Sequence, residues 1–179
     1  MLDEHEFIEW CLATELDEKA KKVISEIREH GPSHGVQAGP FNSHRRYASR
    51  KMGFTIQWES SLEKLAGWLY EHEDDVLEYY NQPGKIKLTY TGENGRQRGV
   101  LHTPDFFVLR SRSAGWEEWK SEDSLIRLKE KDPARFTKLN DSWICPPGQY
   151  YASQFGLHYH LRLNTEIIRT HVQNIYFSF

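Results

Sequence analysis

His102-Thr103-Pro104-Asp105-Phe106-Phe107-Val108-Leu109 and, after a polar turn, Trp116-Glu117-Glu118-Trp119-Lys120 decide the fold of this chain. Phe106 to Leu109 is an unbroken apolar run, the pattern of a strand buried on both faces. Arg110 to Gly115 is polar, with two serines and a glycine, and suits a hairpin connection. In the second run Glu118 and Lys120 stand two apart, so they project from the same face of a strand. The pair of strands therefore collects Asp105, Glu118 and Lys120 at one end of a sheet. Two carboxylates placed so can hold a hard divalent cation through oxygen ligands, with water and phosphate completing the shell. A neighbouring ammonium can orient or deprotonate a water, or steady developing phosphate charge. Either half alone has a plainer reading: Pro-Asp is common at turns, and Glu-x-Lys is common on a solvated strand edge. The residue pattern by itself stays divided between these readings.

Pro104-Asp105 followed by Glu118-Trp119-Lys120 resembles the PD-(D/E)-x-K signature of restriction-endonuclease-like nucleases. The wider context is similar to the TnsA family, the endonuclease subunit of heteromeric transposases. The matching features are Ser60-Ser61-Leu62-Glu63, Asp75-Val76-Leu77, Asn81-Gln82-Pro83, Thr103-Pro104-Asp105-Phe106, Glu118-Trp119-Lys120, Asn164-Thr165-Glu166-Ile167 and Asn174-Ile175. The last two are weak on their own. The likeness runs from about Arg46 to Phe179 and leaves no room for a separate carboxy-terminal domain.

The resemblance implies an α/β fold with a restriction-endonuclease-like core, a mixed central sheet flanked by helices. An N-terminal extension over residues 1–45 would precede a nuclease domain over 46–179. It also implies Mg²⁺, with Mn²⁺ as a substitute, held by Asp105, Glu118 and Glu63, while Lys120 positions or activates the water. The implied substrate is double-stranded DNA at transposon ends, cut on one strand at the 5′ ends. The implied partners are a DDE-type transposase that makes the opposite-strand cut and a regulatory ATPase. Two other functions compete: a stand-alone nuclease of restriction or repair type, and a catalytically silent module that docks DNA or a transposase.

Glu63 has a local explanation as well. Ser60-x-x-Glu63 is a capping-box pattern in which the carboxylate returns to the Ser60 N–H, and the residues alone favour that role. The family's catalytic glutamate matches Glu63 and reverses the preference; Glu59 is the substitute if the register shifts. Gln82 matches the family's Gln-Pro glutamine at the edge of the site and is a further candidate DNA contact.

With 179 residues, 38% hydrophobic and 13% aromatic, the chain has material for one domain with a real core. A formal charge of −3 excludes a protein that coats nucleic acid indiscriminately, so DNA contact requires a confined basic surface or partners. The densest basic cluster is Arg45, Arg46, Arg50 and Lys51, with Tyr47 among them for stacking, and these are the candidate phosphate contacts. Arg96 and Arg98 either line DNA or form a solvated edge. Cys11 and Cys145 are too few for a disulfide framework, and His30, His34 and His44 lack zinc-finger spacing. With no long apolar span and no basic-then-apolar leader, a soluble intracellular protein is expected, and the resemblance implies a bacterial cytoplasm with the nucleoid.

Along the chain, apolar spacing predicts helix over Asp3–His30 with a break near Thr14, then an extended loop to Met52 and a strand over Phe54–Trp58. A helix from Ser60 or Ser61 leads through Val76–Tyr80 into the break at Asn81–Gly84. A half-buried strand over Lys85–Tyr90 turns at Gly92–Gly95 and returns to Asp105. Beyond Lys120 come a helix capped by Ser121, a loop through Gly148, a helix over Gln149–Phe155, a strand over Leu157–Leu163 and a helix over Thr165–Phe177. His158 and His160 share one face of that strand and read as a polar surface.

Overall fold

The structure is a computed structural model that describes residues 1–30, 46–92 and 94–170. Two helices open the chain, α1 (Glu4–Ala13) and α2 (Glu18–His30). Asp3 and Glu6 form a capping box at the start of α1, and Glu15, with φ +54°, breaks the helical run where the apolar spacing falters near Thr14. A short hairpin follows: β2 (Thr55–Gln57) is the strand expected over Phe54–Trp58, and its partner β1 (Arg46–Ala48) lies inside the stretch that the glycines and prolines suggested was loop. Residues 31–45 of that expected loop, Arg45 among them, lie outside the described residues. α3 (Ser61–His72) leads to β3 (Val76–Asn81).

β3 is a full strand of the central sheet, not a tail of α3. It shows no period-two pattern because five of its six residues are buried, a glutamate among them. β4 (Ile86–Thr91) and β5 (Gln97–His102) form an antiparallel ribbon closed by the Gly95 N–H on the Gly92 carbonyl, 2.9 Å. Its strands pair only with each other and are not part of the central sheet. β6 (Phe106–Arg110) and β7 (Ala114–Lys120) are the predicted hairpin, and α4 (Glu122–Lys131) starts from Ser121 as its N-cap. A second small hairpin, β8 (Thr137–Leu139) with β9 (Ser142–Ile144), occupies the expected loop. α5 (Pro146–Ser153) begins three residues earlier than predicted because proline suits a first helical turn. β10 (His158–Leu163) and α6 (Asn164–Thr170) complete the described chain; the predicted continuation to Phe177 lies outside it.

The central sheet has the order β10-β7-β6-β3, with β10 parallel to β7 and the other neighbours antiparallel. The mixed α/β, restriction-endonuclease-like architecture is therefore present. β6 is buried on both faces, as its run of apolar residues requires. Alternation along β7 sends Trp116, Glu118 and Lys120 to one face and Glu117 and Trp119 to the other. Trp116 packs with Tyr151 and Phe155, so α5 covers the first face. Tyr70 of α3 packs edge-on to Phe106 and Trp119, so α3 covers the second. Among the described residues no helix is long and apolar enough to cross a membrane.

The opening helices share the same core. Phe7, Trp10, Ala20, Ile24 and Ile27 are buried in one cluster with the sheet residues. The join is polar as well as apolar: Glu78 on β3, fully buried, accepts from Arg28 Nε at 3.0 Å, Arg28 Nη2 at 3.1 Å, the Leu2 N–H at 2.8 Å and the Tyr80 hydroxyl at 2.6 Å. A buried carboxylate left without its cation is costly. Arg28→Met is therefore expected to lower unfolding free energy by about 3 to 5 kcal/mol in a urea titration, the range for breaking a buried pair. A loss below about 1 kcal/mol would show that the pair contributes no more than a surface contact.

Candidate active site

Register brings the acidic residues together. Phe106 pairs with Glu117, so one step further along the same antiparallel ladder sets Asp105 opposite Glu118, on one face. Asp105 Oδ2 accepts the Trp119 N–H at 2.8 Å, which ties the start of β6 to β7. Lys120 Nζ lies 2.9 Å from Glu118 Oε1 and 3.4 Å from Asp105 Oδ2. The other oxygen, Glu118 Oε2, lies 3.0 Å from His102 Nε2 and accepts the Tyr159 hydroxyl, which is itself 3.0 Å from His102 Nε2. Tyr159 can approach because residue 148 on α5 is glycine: a Cβ there would lie 2.6 Å from the tyrosine ring. Glu118 is 3% exposed, whereas Asp105 and Lys120 keep 21% and 25%, so the cluster opens on the Asp105–Lys120 side.

The three charges respond to burial differently. Burial pushes the Asp105 carboxyl up to about 6; Lys120 and the Trp119 N–H pull against it, and the Glu118 and Glu63 carboxylates add to the rise. Burial also opposes charge on Glu118, but the His102 hydrogen bond, the Lys120 charge and the Tyr159 hydroxyl hold its carboxyl well below the usual range. Lys120 is raised despite burial, because both carboxylates favour the ammonium. The cluster is thus short of positive charge: one ammonium serves Asp105 and Glu118, with Glu63 close enough to add its field.

Glu63 sits at the amino end of α3 and is buried. Its carboxylate accepts from the Ser60 hydroxyl at 2.8 Å and from the Glu59 N–H at 3.2 Å, a capping role close to the local expectation but shifted by one N–H. It comes from the helix on the opposite side of the sheet, so its influence on Asp105 is through space. The Gln82 N–H donates to the Asp105 carbonyl at 2.8 Å, and Gln82 takes the left-handed conformation, φ +47°. A non-glycine residue there is uncommon, and the bond ties the backbone at Asp105 to the Gln82 turn.

The basic cluster does not stay together. Arg46 is exposed and pairs with Gln57, whose carbonyl accepts Asn81 Nδ2 at 2.7 Å; Asn81 in turn pairs with Phe106. Arg46 therefore belongs to the Asp105 end of the sheet. The Arg50–Lys51 turn is bonded to Glu71 at the far end of α3, and Lys51 Nζ donates to the Tyr70 and Glu73 carbonyls at 2.7 and 2.6 Å. Eight residues of helix, about 12 Å, separate Glu71 from Glu63.

His102 and Tyr159 are the site residues that the sequence reading left without a role. His102 opens the decisive stretch, and Tyr159 occupies an ordinary apolar position on β10; nothing local marks either as a partner of Glu118. On the other face of β7, Glu117, His158 and His160 place ligand atoms within 4.8 Å of one another. There Glu117 already accepts from Arg110 Nε and Nη2 at 3.1 and 3.0 Å, from Arg162 at 3.2 Å and from Tyr70 at 2.9 Å. A cation would meet two guanidinium groups, so this cluster is structural.

The Asp105–Glu118–Lys120 set fits a divalent cation by its donor chemistry. Both carboxylates share one face, and Asp105 Oδ1 has no hydrogen bond to a described residue. The two carboxylates offer hard oxygens, and one ammonium leaves the cluster short of positive charge. No curated protein matches the chain. Among protein families, residues 73–164 match the TnsA-like endonuclease N-terminal family, from the end of α3 through β10, with His102, Asp105, Glu118, Lys120 and Tyr159 inside the match. That match spans just over half of the 179 residues, and the chain belongs to the TnsA-like endonuclease family.

Proposed function

We propose that this chain is a metal-dependent endodeoxyribonuclease that cuts one strand, at the 5′ ends, of double-stranded DNA at transposon ends. It would act as the TnsA-like subunit of a heteromeric transposase, beside a DDE-type transposase and a regulatory ATPase. The observation that carries this reading is the convergence of Asp105, Glu118 and Lys120 within hydrogen-bonding distance on one partly open face.

Asp105 and Glu118 would hold Mg²⁺ or Mn²⁺, with Glu63 adding negative field from the end of α3. Such an ion, when bound, polarises the phosphoryl oxygen and acidifies a water. The chain's own groups do the rest. Glu118 is held by His102 and Tyr159 on one oxygen, so its other oxygen has a fixed direction. Lys120, whose ammonium both carboxylates favour, positions or activates the attacking water or steadies the phosphate by charge and hydrogen bonding. Arg46, at the same end of the sheet, is placed to meet a phosphate, and Arg45 precedes it in sequence. Lys51 is committed to backbone carbonyls, and the Arg50–Lys51 turn lies at the other end.

The direct test is a strand-resolved cleavage assay on a labelled transposon end with Mg²⁺, with and without the cognate transposase. Cleavage of one strand that requires the transposase supports the reading. Cleavage by the chain alone would make it a stand-alone nuclease, and none in either case would leave a docking module. Asp105→Asn is expected to lower the cleavage rate at least about 100-fold.

The same substitution is expected to stabilise the metal-free protein. The folded Asp105 pKa, about 6, lies above its ordinary 3.8, so losing the proton favours the unfolded chain. The resulting destabilisation grows as pH rises from about 4 to about 6 and is fully present above that. In chelator, Asp105→Asn should therefore melt higher than wild type at pH 8, and the gap should close towards pH 4. A lower melting temperature at pH 8 would contradict the burial of this charge.

Protons and cations compete for Asp105. Below pH about 6 the apparent affinity for Mn²⁺ should fall roughly tenfold per pH unit, and above it stay level as far as Asp105 is concerned. Calorimetric titration at several pH values reads this directly. A flat profile through pH 6 would remove Asp105 from the ligand set.

A further inference from the structure

The β4–β5 ribbon is joined directly to the site and carries charge that the site does not use. Residues 85–102 contain Lys85, Lys87, Arg96 and Arg98 against one acidic residue, Glu93, in a chain of net charge −3. None of the four cations forms an ion pair with a described residue, whereas Arg28, Arg110, Lys120 and Arg162 all do.

The ribbon has two distinct faces. Ile86 and Leu88 point into the core, and the Tyr90 hydroxyl bonds to the Asp132 carboxylate, so the inner face is anchored at its base and near its tip. The pairs Lys87–Leu101, Thr89–Gly99 and Thr91–Gln97 form the outer face, and all six residues are exposed. Lys87 lies across the partner strand: a Cβ on Gly99 would stand 3.3 Å from its ε-carbon. Gln97 Nε2 donates to Thr91 Oγ1 at 2.9 Å, so polar groups line the far half. At the near end His102 contacts Glu118, and Asp105 follows three residues later.

Six paired residues per strand extend roughly 20 Å, about the length of six stacked base pairs. An antiparallel two-stranded ribbon is one of the protein elements that the major groove admits. A groove reader must be supported on one face, bare on the other and positive overall, and this ribbon is all three.

We propose that the outer face of β4–β5 enters the major groove of the duplex beside the scissile phosphate, with Lys85 and Lys87 on phosphates and Thr89, Thr91 and Gln97 towards base edges, while Arg96 and Arg98, which alternate onto the Tyr90 side and are exposed there, reach the flanking backbone. This rests on the DNA-endonuclease reading and adds where the flanking duplex lies. The ribbon then sets the distance between the groove it occupies and the strand that is cut.

The test uses the full chain carrying Asp105→Asn, so that bound DNA stays intact, and measures affinity for a linear transposon-end duplex between about 50 and 200 mM salt. Adding Lys87→Ala, Arg96→Ala and Arg98→Ala should reduce the slope of log K against log salt by roughly 2 to 3, near 0.9 for each phosphate no longer neutralised. It should also abolish protection of guanine N7, a major-groove atom, next to the cut. Arg50→Ala, at the other end of the sheet, should leave slope and protection unchanged. An unchanged slope and intact N7 protection in the triple variant would overturn the proposal, as would protection confined to the minor groove or no binding by the parent. These readouts do not depend on turnover: wild-type protein that binds through the ribbon but cuts with no metal would sink the endonuclease reading alone. Cleaving protein whose binding ignores the ribbon would sink this proposal alone.

Discussion

Two successive glutamates, Glu117 and Glu118, are buried on opposite faces of β7, and much of the structure serves to keep both of them charged. An ionised carboxylate taken from water is tolerated only with cations and hydrogen-bond donors around it. For Glu117 these come from Arg110 at the end of β6, Arg162 on β10 and Tyr70 on α3. For Glu118 they come from Lys120 on its own strand, His102 at the end of β5 and Tyr159 on β10. The two sets join three strands and a helix around one central strand. The hydrogen bonds and guanidinium charges on Glu117 bring its carboxyl down to about 2 against the pull of burial, so that side behaves as a closed structural network.

The Glu118 side is built the same way but left incomplete. Its charges face a partial opening, and Asp105 is under-neutralised, with its carboxyl pushed up to about 6 by burial. A folded protein gains nothing in stability from an acidic group held in that state. The proposed uptake of a cation would relieve that imbalance. A closed network on one face of β7 gives the open network on the other a rigid base, and Trp119 links them: its N–H binds Asp105 Oδ2 and its indole N–H binds the Tyr70 hydroxyl at 2.6 Å.

The sheet also separates its two ends. Asp105, Lys120, the Gln82 turn, Arg46 and the base of the ribbon gather at one end. Glu71, Glu73, Asp75, the Lys51 ammonium and the Ser111 turn are bonded to one another or to Arg110 at the other. The Lys51 and Arg110 charges are therefore used internally at the far end, where Arg50 and Arg112 stay exposed, and near the site Arg46 and the cations of the ribbon are exposed.

The sequence by itself determined the hairpin that makes the site. The apolar run of β6, the polar turn and the two-residue spacing of Glu118 and Lys120 specify which face each side chain takes, because strand alternation and a short turn are local properties. The breaks at Thr14 and the cap at Ser121 were legible for the same reason. Only the tertiary structure decided what surrounds that hairpin. β3 carried no alternation because both its faces are buried, so it read as the end of a helix. The basic cluster read as one patch, yet a turn sent Arg46 to one end of the sheet and spent Lys51 at the other. His102 and Tyr159 meet Glu118 across 16 and 41 residues of chain, and such partners are chosen by how strands stack rather than by any nearby pattern.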